Sequence, residues 1–219
     1  MYLILGKPRS LAQHNTLQFV RDQSIPRDRV PILIIDDQPF PYKSLLQNLH
    51  FNMTQLEDVT DIRSVEAYPI ILCDIRGVGK AFESKFEGAY LLAQLRRIYP
   101  QKFIVAYTAQ TYDASYNQYL QLADQVVKKD IGQEEWSDKL DKAISTVNNP
   151  TYLWKRIRNS LLEMDIPLVE LVELEDQFIG FVQQKTKSFP SKGLSSQLPD
   201  NAKPLLESVV KTVHLLTGK

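Results

Sequence analysis

Three short runs constrain this chain most: Ile32-Leu-Ile-Ile35, Ile70-Ile-Leu-Cys73 and Phe103-Ile-Val-Ala-Tyr107. Each is apolar throughout, rich in β-branched residues and shorter than a typical helix. A strand with one wet face alternates apolar and polar residues. A run without alternation suits a strand covered on both faces, as in a parallel sheet flanked by helices. Val126-Val127 is a shorter run of this kind, and the weaker Thr54 to Thr60 segment suits an edge strand. Between these runs apolar residues recur at intervals of three and four: Leu45, Leu46 and Leu49; Leu91, Leu92, Leu95 and Ile98; Tyr112, Tyr116, Tyr119 and Leu120; Trp136, Leu140, Ile144 and Val147. That spacing puts one apolar stripe on each of four helices. Strands alternating with helices predict βαβ units with right-handed crossovers, and so a doubly wound α/β fold.

After Asn148-Asn-Pro150 the periodicity becomes purely helical. Leu153, Trp154, Ile157 and Leu161 form one stripe. Leu168, Leu171, Val172, Phe178, Ile179 and Val182 form a second, and Leu206, Val209, Val210 and Val213 a third. Ser188 to Pro204, with three prolines, Gly193 and several serines, reads as a long loop between the last two helices. The expected organisation is therefore an N-terminal extension over 1–30, an α/β domain over 31–149 and an all-helical module over 150–219. The extension itself carries a short strand pattern and a helical pattern over Leu11 to Val20.

In an open parallel sheet, ligands bind beyond the carboxyl ends of the strands, where the strand order reverses. Here those ends carry Asp36 and Asp37 after the first strand, Asp74 after the third, Thr108 after the fourth and Lys129 after the fifth. Three carboxylates brought together repel and raise one another's pKa unless a cation sits among them. A hard divalent cation answers that need, and Mg²⁺ suits a site with few carboxylates and a phosphate. Taken singly, each residue has an ordinary use: Asp as a turn or cap residue, Thr in a strand, Lys on the surface. Side chains alternate along a strand, so only one of Lys128 and Lys129 can face the pocket. Cys73, the one cysteine, reads as an inert core residue and argues against an internal disulfide framework.

Four motifs, Ile-Ile-Asp36-Asp37-Gln, Ile-Leu-Cys-Asp74-Ile, Ala-Tyr-Thr108-Ala and Ala123-Asp-Gln-Val-Val-Lys-Lys129, resemble those of bacterial response-regulator receiver domains over roughly half of the chain. The resemblance implies a flavodoxin-like, five-stranded parallel sheet in the order 2-1-3-4-5. It also implies that Asp74 accepts a phosphoryl group from a sensor histidine kinase or phosphotransfer protein. Asp37 and Asp74 would then hold Mg²⁺ with support from Asp36 and the backbone carbonyl of Arg76. Thr108 and Lys129 would contact the phosphoryl oxygens, the family register favouring Lys129 over Lys128. Such a protein catalyses only its own phosphorylation and dephosphorylation and is not otherwise an enzyme.

The chain departs from the family pattern in four places. Val126 stands where the family usually has an aromatic residue, and Asp130 where it has a proline. The segment from Ile75 to Gly88 is longer than the usual loop and lacks its Met-Pro pair, and the second helical stretch, about Asp61 to Ala67, is short. Arg76 and Lys80 give the long loop charge, and Gly77 and Gly79 give it flexibility.

A net charge of zero and a pI near 6.8 argue against a whole-protein field for nucleic acid or membrane. Within 151–219 nine Lys/Arg face eight Asp/Glu, and no helix-turn-helix spacing emerges, so DNA is not an expected partner. His214 has no cysteine or second histidine nearby to make a metal site. The short apolar start and the lack of any long apolar run lead us to expect a cytoplasmic protein. The expected function is a response regulator signalling through protein contacts or homodimerisation of its helical region. The alternatives are a phosphorylation-independent adaptor, or a DNA-binding regulator with an unrecognised output domain.

Overall fold

The computed structural model describes residues 25–108, 114–183 and 188–217. The chain divides into two compact units, residues 23–148 and a helical unit from Asn149 onward. In the first unit five strands form one parallel sheet: β1 (Ile32–Ile35), β2 (Met53–Leu56), β3 (Ile70–Asp74), β4 (Phe103–Thr108) and β5 (Gln125–Lys128). Their order is β2-β1-β3-β4-β5, the doubly wound arrangement expected from the sequence. Every residue of β1, β3 and β4 is buried, which is why those runs do not alternate. The edge strands differ: Met53 is the one buried residue of β2, and Val127 the one buried residue of β5.

Among the described residues four α-helices belong to this unit: α1 (Lys43–Asn48), α2 (Glu87–Ile98), α3 (Asn117–Leu120) and α4 (Gln133–Val147). Leu33, Ile35, Ile71, Cys73, Ile104 and Ala106 join Leu91, Leu92 and Leu95 of α2 in one core. The alternate strand residues, among them Tyr107, point the other way, where Tyr107 meets Trp136 of α4. The residues before β1 also belong here: Ile25 and Val30 are buried, and Arg27 pairs with Asp141 of α4 at 2.6 Å.

Several local expectations differ from the structure. The stretch Asp61 to Ala67 forms only a single 3-10 turn, Ile62–Val65, held at its start by the Asp61 carboxylate. On α1, Leu46 is buried but Leu45 is 45% exposed, because a six-residue helix presents too few turns for a full stripe. The helical pattern from Tyr112 shrinks to a 3-10 turn, Ala114–Tyr116, followed by α3, while Tyr112 lies outside the described residues. So do the strand and helix patterns of the first 24 residues.

The helical unit contains α5 (Pro150–Glu163), α6 (Leu168–Val182), α7 (Lys192–Ser195) and α8 (Ala202–Thr217). The break at Asn148-Asn-Pro150 is a helix start: the Asn149 side chain accepts from the Thr151 N–H at 2.8 Å, and Pro150 takes the first helical position, where no N–H is needed. Trp154 stacks on Phe178 at 5.3 Å between ring centres, and its indole N–H donates to Glu175. Leu168 and Val172, expected in the stripe of α6, are 64% and 37% exposed. The segment from Ser188 is not all loop, since Ser191 caps α7 and Pro204 falls in the first turn of α8, where proline is tolerated.

Candidate functional site

The carboxyl ends of β1, β3, β4 and β5 converge as parallel pairing requires. Asp36, Asp37 and Asp74 each offer an oxygen within 4.8 Å of the others. Asp36 and Asp74 are buried, and the Asp37 side chain is 33% exposed. Lys129, the residue after β5, is pinned when its N–H donates to the Thr108 carbonyl at 3.0 Å. Its ammonium lies 2.5 Å from Asp74 Oδ2 and 2.9 Å from Asp36 Oδ2. Lys128, the alternative, is exposed, as alternation demands. Thr108 is buried at the end of β4, and Arg76 lies in the loop after Asp74 with its guanidinium 5.0 Å from the Tyr116 ring centre.

The two oxygens of Asp74 are held differently. Oδ1 accepts the Ile75 N–H at 2.7 Å and the Arg76 N–H at 3.4 Å, so rigid backbone fixes it. Oδ2 is held by the Lys129 ammonium, on a side chain that can move. Burial raises the Asp74 pKa from its ordinary value, against the pull of Lys129. The same two carboxylates raise the Lys129 pKa against burial, so the lysine stays charged. One ammonium does not balance three carboxylates, and Lys80 adds only a looser contact, 3.7 Å from Asp37 Oδ2. Acidic oxygens of this number and spacing fit a hard divalent cation.

Two glycines let backbone approach the site. A Cβ on Gly77, at φ +77°, would collide with the Asp37 carboxylate, and one on Gly88 would collide with the Asp74 carbonyl. Gly88 thereby lets the start of α2 rest against the end of β3.

Sequence reasoning missed three residues here. Tyr107 donates its hydroxyl to Asp36 Oδ2 at 2.8 Å. Asp58 accepts from the N–H groups of Val59, Gly79 and Lys80, and Glu87 accepts from Gly77 N–H at 3.0 Å. Asp58 and Glu87 thus shape the long loop after Asp74. Only Tyr107 left a signal in the sequence: a tyrosine in an otherwise apolar buried run must find a partner for its hydroxyl. The Cys73 thiol donates to the Asp74 carbonyl at 3.3 Å, and burial pushes its pKa far up, so it stays protonated.

No family model and no curated protein matches the chain. Solved structures resemble part of it. A response regulator from Thermotoga maritima is 15% identical over 53% of this chain and 98% of its own, with a TM-score of 0.43. The BeF3-activated N-terminal receiver domain of RstA from Klebsiella pneumoniae is 19% identical over 52% and 97%, with a TM-score of 0.44. A response regulator protein from Burkholderia pseudomallei, with a phosphorylated aspartic acid, calcium ion and citrate, is 18% identical over 73% and 99%, with a TM-score of 0.41. Among the described residues no helix is long and apolar enough to cross a membrane.

Proposed function

We infer that residues 31–149 act as a receiver that takes a phosphoryl group on Asp74, and that residues 150–219 pass the change on through protein contacts. The observation that carries this reading is the Asp36, Asp37 and Asp74 cluster with the Lys129 ammonium bridging two of its members. A structural salt bridge needs no third carboxylate in so confined a space.

Asp37 and Asp74, with support from Asp36 and the Arg76 carbonyl, would hold Mg²⁺. When bound, the ion supplies positive charge to the phosphoryl oxygens and keeps the acids ionised. Asp74 Oδ2 attacks phosphorus while Oδ1 stays on the Ile75 and Arg76 amides. With a phosphohistidine donor, the new O–P bond forms as the N–P bond breaks, and the bonding pair leaves on the imidazole, which takes up a proton. Lys129 releases Oδ2 and pairs with a phosphoryl oxygen in a charge-assisted contact. The Thr108 hydroxyl donates to another. The in-line geometry is a matter of positioning, which buried strand ends provide.

The donor we propose is a histidine kinase, a phosphotransfer protein or a small acyl phosphate. The test is intact-protein mass after acetyl phosphate with Mg²⁺ and after a phosphorylated histidine donor. One hydroxylamine-sensitive phosphoryl group is expected on the wild type, and none on Asp74→Asn. An unmodified wild type with both donors would favour a phosphorylation-independent adaptor, and a fully modified Asp74→Asn chain would show that another residue is the acceptor.

A further inference from the structure

The acidic pocket is joined to the opposite helical layer through one side chain. Asp36 Oδ1 accepts from the Gln38 N–H at 2.9 Å, while Oδ2 takes both the Tyr107 hydroxyl at 2.8 Å and the Lys129 ammonium at 2.9 Å. Tyr107 and Lys129 therefore share one acceptor atom. The Lys129 ammonium also sits 5.0 Å from the Tyr107 ring centre.

The other side of this ring is packed in aromatics. Tyr107 meets Trp136 at 5.8 Å and 89° and Phe40 at 5.7 Å and 80°, and Phe40 meets Trp136 at 5.2 Å and 83°. All three are buried. Buried interiors are close-packed, so a displaced ring in such a group presses on its neighbours. Trp136 anchors the first turn of α4, and its buried indole N–H has no hydrogen-bond partner among the described residues. Packing, rather than a hydrogen bond to that indole, sets its place.

We propose that Tyr107 is a positioning residue: it fixes Asp36 in the pocket and transmits the state of Lys129 through the Phe40 and Trp136 rings to α4. This rests on the receiver reading above. When a phosphoryl group draws Lys129 away, Asp36 Oδ2 loses its ammonium partner and its bond to the Tyr107 hydroxyl changes in strength and direction. The ring follows its hydroxyl, and Trp136 follows the ring. The route leaves the sheet through β4 and α4 rather than through exposed Val126 on β5.

The test is a fluorine NMR spectrum of the full chain carrying 5-fluorotryptophan, with Mg²⁺ and beryllofluoride as a phosphoryl stand-in. The chain has two tryptophans, Trp136 and Trp154, so their resonances are readily assigned. The fluorines of bound beryllofluoride report occupancy in the same spectrum. In the wild type the Trp136 resonance should shift on binding. In Tyr107→Phe, which keeps the ring and loses only the hydroxyl, the Trp136 shift per bound beryllofluoride should fall to less than half. Bound beryllofluoride without a Trp136 shift in the wild type, or an undiminished shift in Tyr107→Phe, overturns the relay and leaves the receiver reading standing. No bound beryllofluoride in the wild type overturns both. The wild-type arm needs no substitution, so the relay remains refutable even if the variant fails to fold.

Discussion

Lys129→Met removes the one cation that touches two of the three pocket acids. Its ammonium lies 2.5 Å from Asp74 and 2.9 Å from Asp36. At an effective dielectric near 20, such separations correspond to roughly 7 and roughly 6 kcal/mol of attraction. Desolvation of the ammonium offsets much of this, and so does repulsion among acids held within 4.8 Å. Removing one partner from a buried charge network costs about 3–5 kcal/mol, because the charges left behind are unpaired. The Lys129 side chain is 22% exposed, so the lower end applies. We expect Lys129→Met to lose about 3 kcal/mol in urea unfolding with a chelator present. Mg²⁺ at a hundred times its dissociation constant for the wild type stabilises that protein by about 2.7 kcal/mol, and the same concentration should stabilise the variant more, because there the cation is the pocket's main counter-charge. A loss under about 1 kcal/mol, the worth of an ordinary surface pair, would refute this reasoning, as would an equal Mg²⁺ gain in both proteins. Asp74 adds a sign. Its raised pKa means that the folded state binds its proton more tightly, so metal-free stability should fall as pH rises from 3.8 through the raised value and then level off.

Lys102 is 1% exposed, donates to the Glu66 and Tyr68 carbonyls, and is lowered by burial from 10.5 to about 7. The folded lysine loses its proton before the unfolded one, so stability should rise between pH 7 and about 10; urea titrations across that range should show the slope in the wild type and not in Lys102→Met. Gly77→Ala should cost about 2 kcal/mol through its positive φ and its clash with Asp37, and calorimetry should show weaker Mg²⁺ binding. Asp58→Asn should speed amide hydrogen exchange at Gly79 and Lys80, whose N–H groups donate to that carboxylate.

What the sequence revealed follows from what leaves a periodic trace. β1, β3 and β4 were legible because burial on both faces keeps four or five consecutive positions apolar before the strand ends. Asp36, Asp37, Asp74 and Lys129 were legible because parallel strands deliver their carboxyl ends to one edge. The shared oxygen of Asp36 was not, because register in three dimensions decides which hydroxyl reaches it. Tyr107 looked like the last residue of a core run. The acidic residues that hold the long loop carry no periodicity, so nothing marked Asp58 as an acceptor for backbone 21 and 22 residues away. Leu45 misled because stripe counting assumes more turns than α1 has.

The loop after Asp74 is not a portable cassette. Three of its amides, those of Gly77, Gly79 and Lys80, find their acceptors on Glu87 of α2 and on Asp58, which precedes β3. Grafting residues 75–86 alone into another doubly wound scaffold would transfer the sequence of the loop and leave those donors to water. A graft that carries Asp58 and Glu87 along would transfer its shape, and with it the position of Gly77 against Asp37. For anyone recombining such domains, the natural crossover points lie before Asp58 and beyond Gly88, outside the reach of those hydrogen bonds.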